Sequence, residues 1–315
     1  MTCGRASVLM AIATISILGC NRGAPAADAK PRVALVLKTL NNPFFIDMQR
    51  GAEEAAKRLD VDLVVQAAER ETDVEKQMQI IENLIQARVG ALAITPSGSR
   101  EVVPAVGKAN EAGIPVVIVD TRLDAKAASD AGVRTASFVG SDNYRGGQII
   151  GEYLVKASAG RARVAILEGI PGHDTGDQRV RGFRDAVKAT PSVQIVASQT
   201  ANWERDQGFT VFQNMLQANP AIDTVFACND MMALGAIEAI RAAGRMGKIR
   251  VLGFDAVQDA RKAIEVGTMA ATVAQFPDEM GRVAVESAVK ALKGEMVPPE
   301  SGVRIELVTK ETGTE

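Results

Sequence analysis

From Arg32 onward the chain alternates short aliphatic or β-branched runs with amphipathic stretches, and few folds accept that rhythm. The strand-like runs of the first half are 32–37, 62–67, 91–94, 115–120 and 136–140, with helical stretches at 43–59, 72–87 and 101–112 between them. The second half repeats the pattern at 163–167, 194–198, 224–227, 250–254 and 271–274, again with helices between. These runs are apolar throughout rather than alternating, as parallel strands covered on both faces are, and β–α alternation winds such strands into layered sheets. Ten strands in one sheet are less favourable than two lobes, and 315 residues suit two lobes of ordinary size. The halves also echo each other, because 113–120 and 249–255 both bring an aspartate to a strand's end. The expected fold class is therefore α/β: two doubly wound lobes with parallel sheets, facing each other across a cleft. The stretches 140–143 and 274–277 are candidate crossovers, and a third is expected near Arg304. That places the first lobe at 31–141 plus 276–304 and the second at 142–275 plus 305–315.

The first thirty residues carry a different signal. Arg5 precedes an eleven-residue apolar stretch, Val8 to Leu18, too short to span a bilayer and the right size for a signal segment. It ends in Ile17-Leu18-Gly19-Cys20, which resembles the bacterial lipobox. Residues 1–20 are thus expected to be a lipoprotein signal peptide, with Cys20 acylated at the mature N-terminus, and 21–30 a flexible tether reaching at most ~33 Å. Lipid chains there would anchor the protein without spanning the membrane, giving a periplasmic or cell-envelope location. Cys228 is then the one free thiol, inside Val225-Phe226-Ala227-Cys228, and is expected to behave as a small buried hydrophobe.

Composition removes several classes of function. A net charge of −2 gives no electrostatic reason to expect nucleic acid, and one Trp with two Tyr make a poor stacking surface for single strands. The one histidine excludes a multi-His metal site and leaves a single base for any triad. That residue, His173, lies in Pro171-Gly172-His173-Asp174, a loop that reads as solvated. No dinucleotide or phosphate-loop fingerprint follows a strand, so no cofactor is expected.

Polar residues gather at the strand ends. Lys38 closes the first strand, Asn42 follows, and Pro43 opens a helix at a position where a missing N–H costs nothing. Phe44 and Phe45, two of only twelve aromatic residues, stand beside them. An apolar platform next to amides suits a sugar, with its C–H faces and hydroxyl rim, although packing in the core competes for both rings. Asp120 ends another strand of the first half, and Asn229, Asp255 and Gln275 end strands of the second. In the pair Asn229-Asp230 the aspartate is expected to cap the next helix, leaving the asparagine for the ligand. Trp203, flanked by Asn202 and Glu204 between strand and helix, is expected to cover a ligand from the second lobe rather than pack in the core.

The stretches LNNPFF (40–45), SDN (141–143), ASQTANWER (197–205), NDMMALGA (229–236), GFD (253–255) and ATVAQ (271–275) resemble the type I periplasmic sugar-binding proteins, ribose- and allose-binding ones above all. The resemblance covers nearly all of the mature chain. It implies two Rossmann-like lobes joined by a three-segment hinge that close on a monosaccharide. The implied contacts are Lys38, Asn42, Phe44, Phe45 and Asp120 from one lobe, and Arg179, Trp203, Asn229, Asp255 and Gln275 from the other lobe and its hinge. Where ribose binders carry a small hydroxyl residue this chain has Lys38, and Thr121 stands where an arginine follows their aspartate. Both departures favour an allose-like pyranose over ribose, with another small polyol or sugar-derived signal as the alternative. Arg122 is expected to point to the strand's other face. The implied partners are the permease and ATPase of an ABC importer, with a chemotaxis receptor as a further candidate and the receptor itself a monomer. A repressor would need a helix-turn-helix ahead of Arg32. A glycoside-processing enzyme using Asp120 and Asp255 is disfavoured, because a receptor needs the same carboxylates as acceptors for hydroxyls.

Overall fold

The computed structural model describes residues 1–2 and 30–312; the apolar signal stretch 8–18, Cys20 and tether residues 21–29 lie outside the described residues. The chain enters the first sheet with β1 (Arg32–Thr39) and continues through β2 (Asp62–Ala68), β3 (Ala91–Ile94), β4 (Val116–Val119) and β5 (Ser137–Ser141). Helices α1 (Pro43–Leu59), α2 (Val74–Gln86), α3 (Val103–Glu111) and the short α4 (Ala125–Asp130) link them. The second sheet holds β6 (Ala162–Glu168), β7 (Val193–Thr200), β8 (Thr224–Ala227), β9 (Arg250–Leu252) and β10 (Ala271–Ala274). Its helices are α5 (Asn143–Ala157), α6 (Asp174–Val187), α7 (Arg205–Ala218), α8 (Asp230–Ala242) and α9 (Gln258–Glu265).

The first five strands lie in the order β2-β1-β3-β4-β5 and the next five repeat it as β7-β6-β8-β9-β10. All of these pair in parallel. The order reverses beside β1 and beside β6. In open sheets that is where a crevice opens at the carboxyl ends of the strands, and ligands bind there. The two fully apolar central strands explain the arrangement: Val33–Leu37 and Val164–Leu167 have no exposed surface at all, so helices must cover both faces.

After β10 the chain returns to the first lobe in α10 (Pro277–Leu292), which packs along α1. It then adds β11 (Glu300–Val303) beside β5 and crosses once more to lay β12 (Glu306–Thr309) antiparallel to β10. The chain therefore passes between the sheets after β5, after β10 and between β11 and β12. The last two strands are four residues each, with polar residues at exposed or half-buried sites. The sequence pattern therefore gives no strand there. The lobes press together closely enough to form one compact unit starting at Pro31. Among the described residues no helix is long and apolar enough to cross a membrane.

Helix α6 is held in place by glycine. A Cβ on Gly182 would come 2.0 Å from the Tyr144 carbonyl oxygen, and one on Gly147 would come 2.2 Å from that of Arg179. Only bare backbone lets α5 and α6 approach so closely, and this approach sets the position of Arg179.

Candidate ligand site in the cleft

In the first lobe the site grows from the last turn of β1. The Lys38 side chain is only 3% exposed. Its ammonium donates to Thr121 Oγ1 at 2.8 Å and Asp120 Oδ2 at 3.3 Å, and lies 3.8 Å from Glu71 Oε2. A buried ammonium needs such partners, since an isolated charge in a dry interior is prohibitive. Asp120 sits just past β4 with φ of 62°, a left-handed conformation that turns its carboxylate back into the cleft. The Thr121 hydroxyl donates to that carboxylate at 2.9 Å. Asn42 caps α1 by accepting from the Phe44 N–H at 3.1 Å, and its amide donates to Glu71 Oε1 at 3.1 Å. Burial raises the Glu71 pKa, and the nearby Lys38 charge opposes the rise. Phe44 and Phe45 meet edge to face, centroids 5.2 Å apart, and both belong to the core while lining the cleft.

In the second lobe Arg179 organises the cleft. Its guanidinium donates to Asn143 Oδ1 at 2.8 Å, to the Cys228 carbonyl at 2.7 Å and to Asp255 Oδ1 at 3.5 Å, and stacks 3.9 Å from the Phe254 ring centre. Burial, with the nearby Asp230 charge adding to it, raises the Asp255 pKa well above its ordinary value, and Arg179 works against that rise. Gln275, wholly buried just after β10, donates to Asp255 Oδ1 at 2.6 Å and leaves its own Oε1 without a partner.

Ten expected contact residues converge on one small cavity between the lobes. Lys38, Asn42, Phe44, Phe45 and Asp120 line it from one side, and Arg179, Trp203, Asn229, Asp255 and Gln275 from the other. None exceeds 8% exposure, so the cleft is shut. Glu71 and Thr175 complete the lining. Glu71 follows β2 as Asp120 follows β4, so strand-end reasoning applied to β2 would have found it. Arg122 lies outside the cavity, stacked 3.7 Å from the Phe138 ring centre and paired with Glu300.

Three expectations need correction. Asn229, not Asp230, caps α8: its Oδ1 accepts from the Met232 N–H at 2.9 Å while its amide donates to the Trp203 carbonyl at 3.0 Å. Asp230 turns inward and accepts from Thr272 Oγ1 at 2.7 Å and the Val257 N–H at 2.9 Å. Trp203 lines the cavity and is also a core residue, 5% exposed, because Gly169 and Gly176 leave a slot for its indole. A Cβ on Gly169 would come 1.9 Å from the ring. His173 is not solvated: it is 3% exposed and accepts from the Trp203 indole N–H at 3.4 Å. Burial drives its pKa down to about 3 and that of the Cys228 thiol up to about 12. Neither group is then an acid, base or nucleophile near neutral pH.

A shut cavity with aromatic faces and a rim of donors and acceptors defines a receptor for a small hydroxylated solute. Residues 33–296 match the family described as Periplasmic binding protein domain, and the chain belongs to that family. Its members are substrate-binding transport proteins, not enzymes. It is 39% identical over 306 residues to the ribose import binding protein of Escherichia coli strain K12, covering 97% of this chain and 98% of that protein. It is 40% identical to the D-ribose/D-allose-binding protein of Pseudomonas aeruginosa, covering 89% of each. A solved solute-binding protein of an ABC transporter from Actinobacillus succinogenes 130z, with bound D-allose, is 43% identical and superposes with a TM-score of 0.84 over 90% of this chain and 99% of that one.

Proposed function

We propose that this chain is the receptor of an ABC sugar importer and captures a monosaccharide by closing its two lobes, with an allose-like pyranose favoured over ribose. The observation that carries the reading is the buried rim itself. Gln275 Oε1 has no donor, while Lys38, Asp120, Arg179 and Asp255 are desolvated around a cavity whose flat walls are Phe44, Phe45 and Trp203. A sugar supplies hydroxyl donors to the acceptors and apolar C–H faces to the rings. The passages between the sheets after β5, after β10 and between β11 and β12 are the hinge in this reading. Relatives named for ribose and for allose are similarly close, so Lys38 supports the choice between them: its ammonium stands where the resemblance puts a small hydroxyl residue in ribose binders, and it presents a charged donor to a ring oxygen or hydroxyl.

Calorimetry with D-allose and D-ribose tests this. The wild type is expected to bind D-allose more tightly. Lys38→Ser is expected to lose ten- to more than a hundredfold of that affinity, since a hydrogen bond to a charged group is worth about 1.5–3 kcal/mol, and to lose much less for D-ribose. Equal losses would remove Lys38 from sugar selection, and no heat from either sugar would overturn the reading.

The permease and ATPase of the importer are the proposed partners, with a chemotaxis receptor as a further one and the receptor working as a monomer. The periplasm is the expected compartment for this family, and Cys20 is the proposed lipid anchor. Expressed in a Gram-negative host, the full chain is expected to incorporate labelled palmitate and Cys20→Ala to lose it; equal labelling would refute that anchor.

A further inference from the structure

We propose that His173 is a positioning residue that latches the lobes: only its neutral ring can bridge Trp203 of the second lobe to the Ser97 carbonyl of the first, so sugar is held less tightly as the solution turns acid. The proposal rests on the sugar reading above and adds a control that the reading does not contain.

The geometry is specific. His173 immediately precedes α6. One ring nitrogen, Nδ1, accepts from the Trp203 indole N–H at 3.4 Å. The imidazole also lies near the backbone of Ser97, in the loop after β3 of the other lobe, whose carbonyl favours a proton on the ring. One residue on, the Asp174 N–H donates to Ser99 Oγ at 3.2 Å, so the start of α6 is docked on that loop at two points. The ring is 3% exposed and Ser97 is wholly buried. An imidazole with one N–H and one lone pair satisfies both neighbours. A second proton turns Nδ1 into a donor facing the indole donor, and the bridge to Trp203 fails.

Charges around the ring act in the same direction or weakly against it. Burial and Lys38 on β1 disfavour the imidazolium, while the Ser97 carbonyl and Asp120 after β4 favour it less strongly. Arg179, on the same helix, lies 5.6 Å from the Trp203 ring centre. Asp174 and Asp177 follow His173 on α6 and Glu204 follows Trp203 in the chain, and burial raises the pKa of Asp177 and Glu204. The closed form accordingly holds His173 neutral down to a pKa of about 3. When the lobes part, Ser97 leaves and the ring regains water, returning towards its ordinary value of about 6.5. Closure below that pH must then release a proton. The sign follows directly: the closed state binds fewer protons, so affinity is full above pH 7 and falls on acidification.

The test is calorimetry with D-allose at pH 7.5 and 5.0, on the untagged wild type and on His173→Gln, whose amide keeps a donor and an acceptor but does not titrate. The expected wild-type loss is about thirtyfold between those pH values beyond any loss in the variant. The variant retains the part due to the buried carboxylates Glu71, Asp255 and Asp230, and that part is subtracted. Because the chain has a single histidine, NMR of its ring reads the same event directly: titration near pH 6.5 without D-allose and none above pH 4 with it. Parallel pH profiles in wild type and variant, or a ring titration unmoved by D-allose, overturn the latch. Absence of binding at pH 7.5 overturns the sugar reading instead, before any pH dependence is measured, and the latch falls with it.

Discussion

Arg179→Met is expected to abolish measurable binding of D-allose and to destabilise the fold by roughly 3–5 kcal/mol, the usual consequence of removing one partner of a buried ion pair. Three bonds are lost together, to Asn143, to the Cys228 carbonyl and to Asp255. The methionine still fills the space over Phe254, so the loss reads the guanidinium rather than a void. Arg179→Lys is expected to rescue little, because an ammonium cannot reach three acceptors set around a planar fork. The pH dependence gives an independent check. Burial and the nearby Asp230 charge raise the Asp255 pKa, and Arg179 is the group that opposes the rise. Without it the folded carboxyl holds its proton to still higher pH than the unfolded chain does, so the variant's stability falls as pH rises from the ordinary carboxylate range. Urea unfolding at pH 5 and pH 8 would show the larger deficit at pH 8. Wild-type affinity, or a deficit larger at pH 5, would remove Arg179 from the centre of the cleft.

The same residue shows what local sequence can record. Alternating β and α runs are short-range facts, so every strand from β1 to β10 is legible from aliphatic content alone, with ends displaced by one or two residues. Lys38, Asn42, Asp120, Asn229, Asp255 and Gln275 are legible because a polar residue ending an apolar strand has only the cleft side of a wound sheet to occupy. Arg179 is different. It lies on α6, in a helix face like any other, and only the resemblance to sugar-binding proteins picks it out. β11 and β12 are short and partly polar, and each is made a strand by a neighbour far away in sequence. The Asn229-Asp230 pair is ambiguous for a related reason. Either side chain can cap α8, and the choice is made by Thr272 and the Val257 N–H, which draw the aspartate inward. His173 reads as solvated because its own loop is Pro-Gly-Asp in character, and its burial comes from Trp203 and from the opposite lobe.

Trp203→Ala is expected to weaken D-allose binding by more than tenfold, and it will also cost about 3–5 kcal/mol of stability, as large-to-small changes of buried aromatic residues do. The indole does two jobs at once. It forms the cleft wall opposite Phe44 and Phe45, and it fills the slot over Gly169 and Gly176 within the second lobe's core. Binding and stability losses must therefore be separated, and Gly169→Ala does so. Its added methyl would overlap the indole, 1.9 Å from Cζ2, so the ring must swing away while the residue itself remains. That variant is expected to lose D-allose affinity while its Trp emission shifts to the red as the ring meets water. In the wild type the emission of this single Trp is expected to change saturably with D-allose, at one sugar per chain, as the lobes seal the wall against solvent. The core role alone predicts something else: Gly169→Ala would then lower stability with affinity unchanged, and the wild-type emission would stay constant at a sugar concentration that calorimetry shows to be saturating. Either result would place the indole behind the cleft rather than in it, leaving Phe44 and Phe45 as its only aromatic wall among the residues lining the cavity.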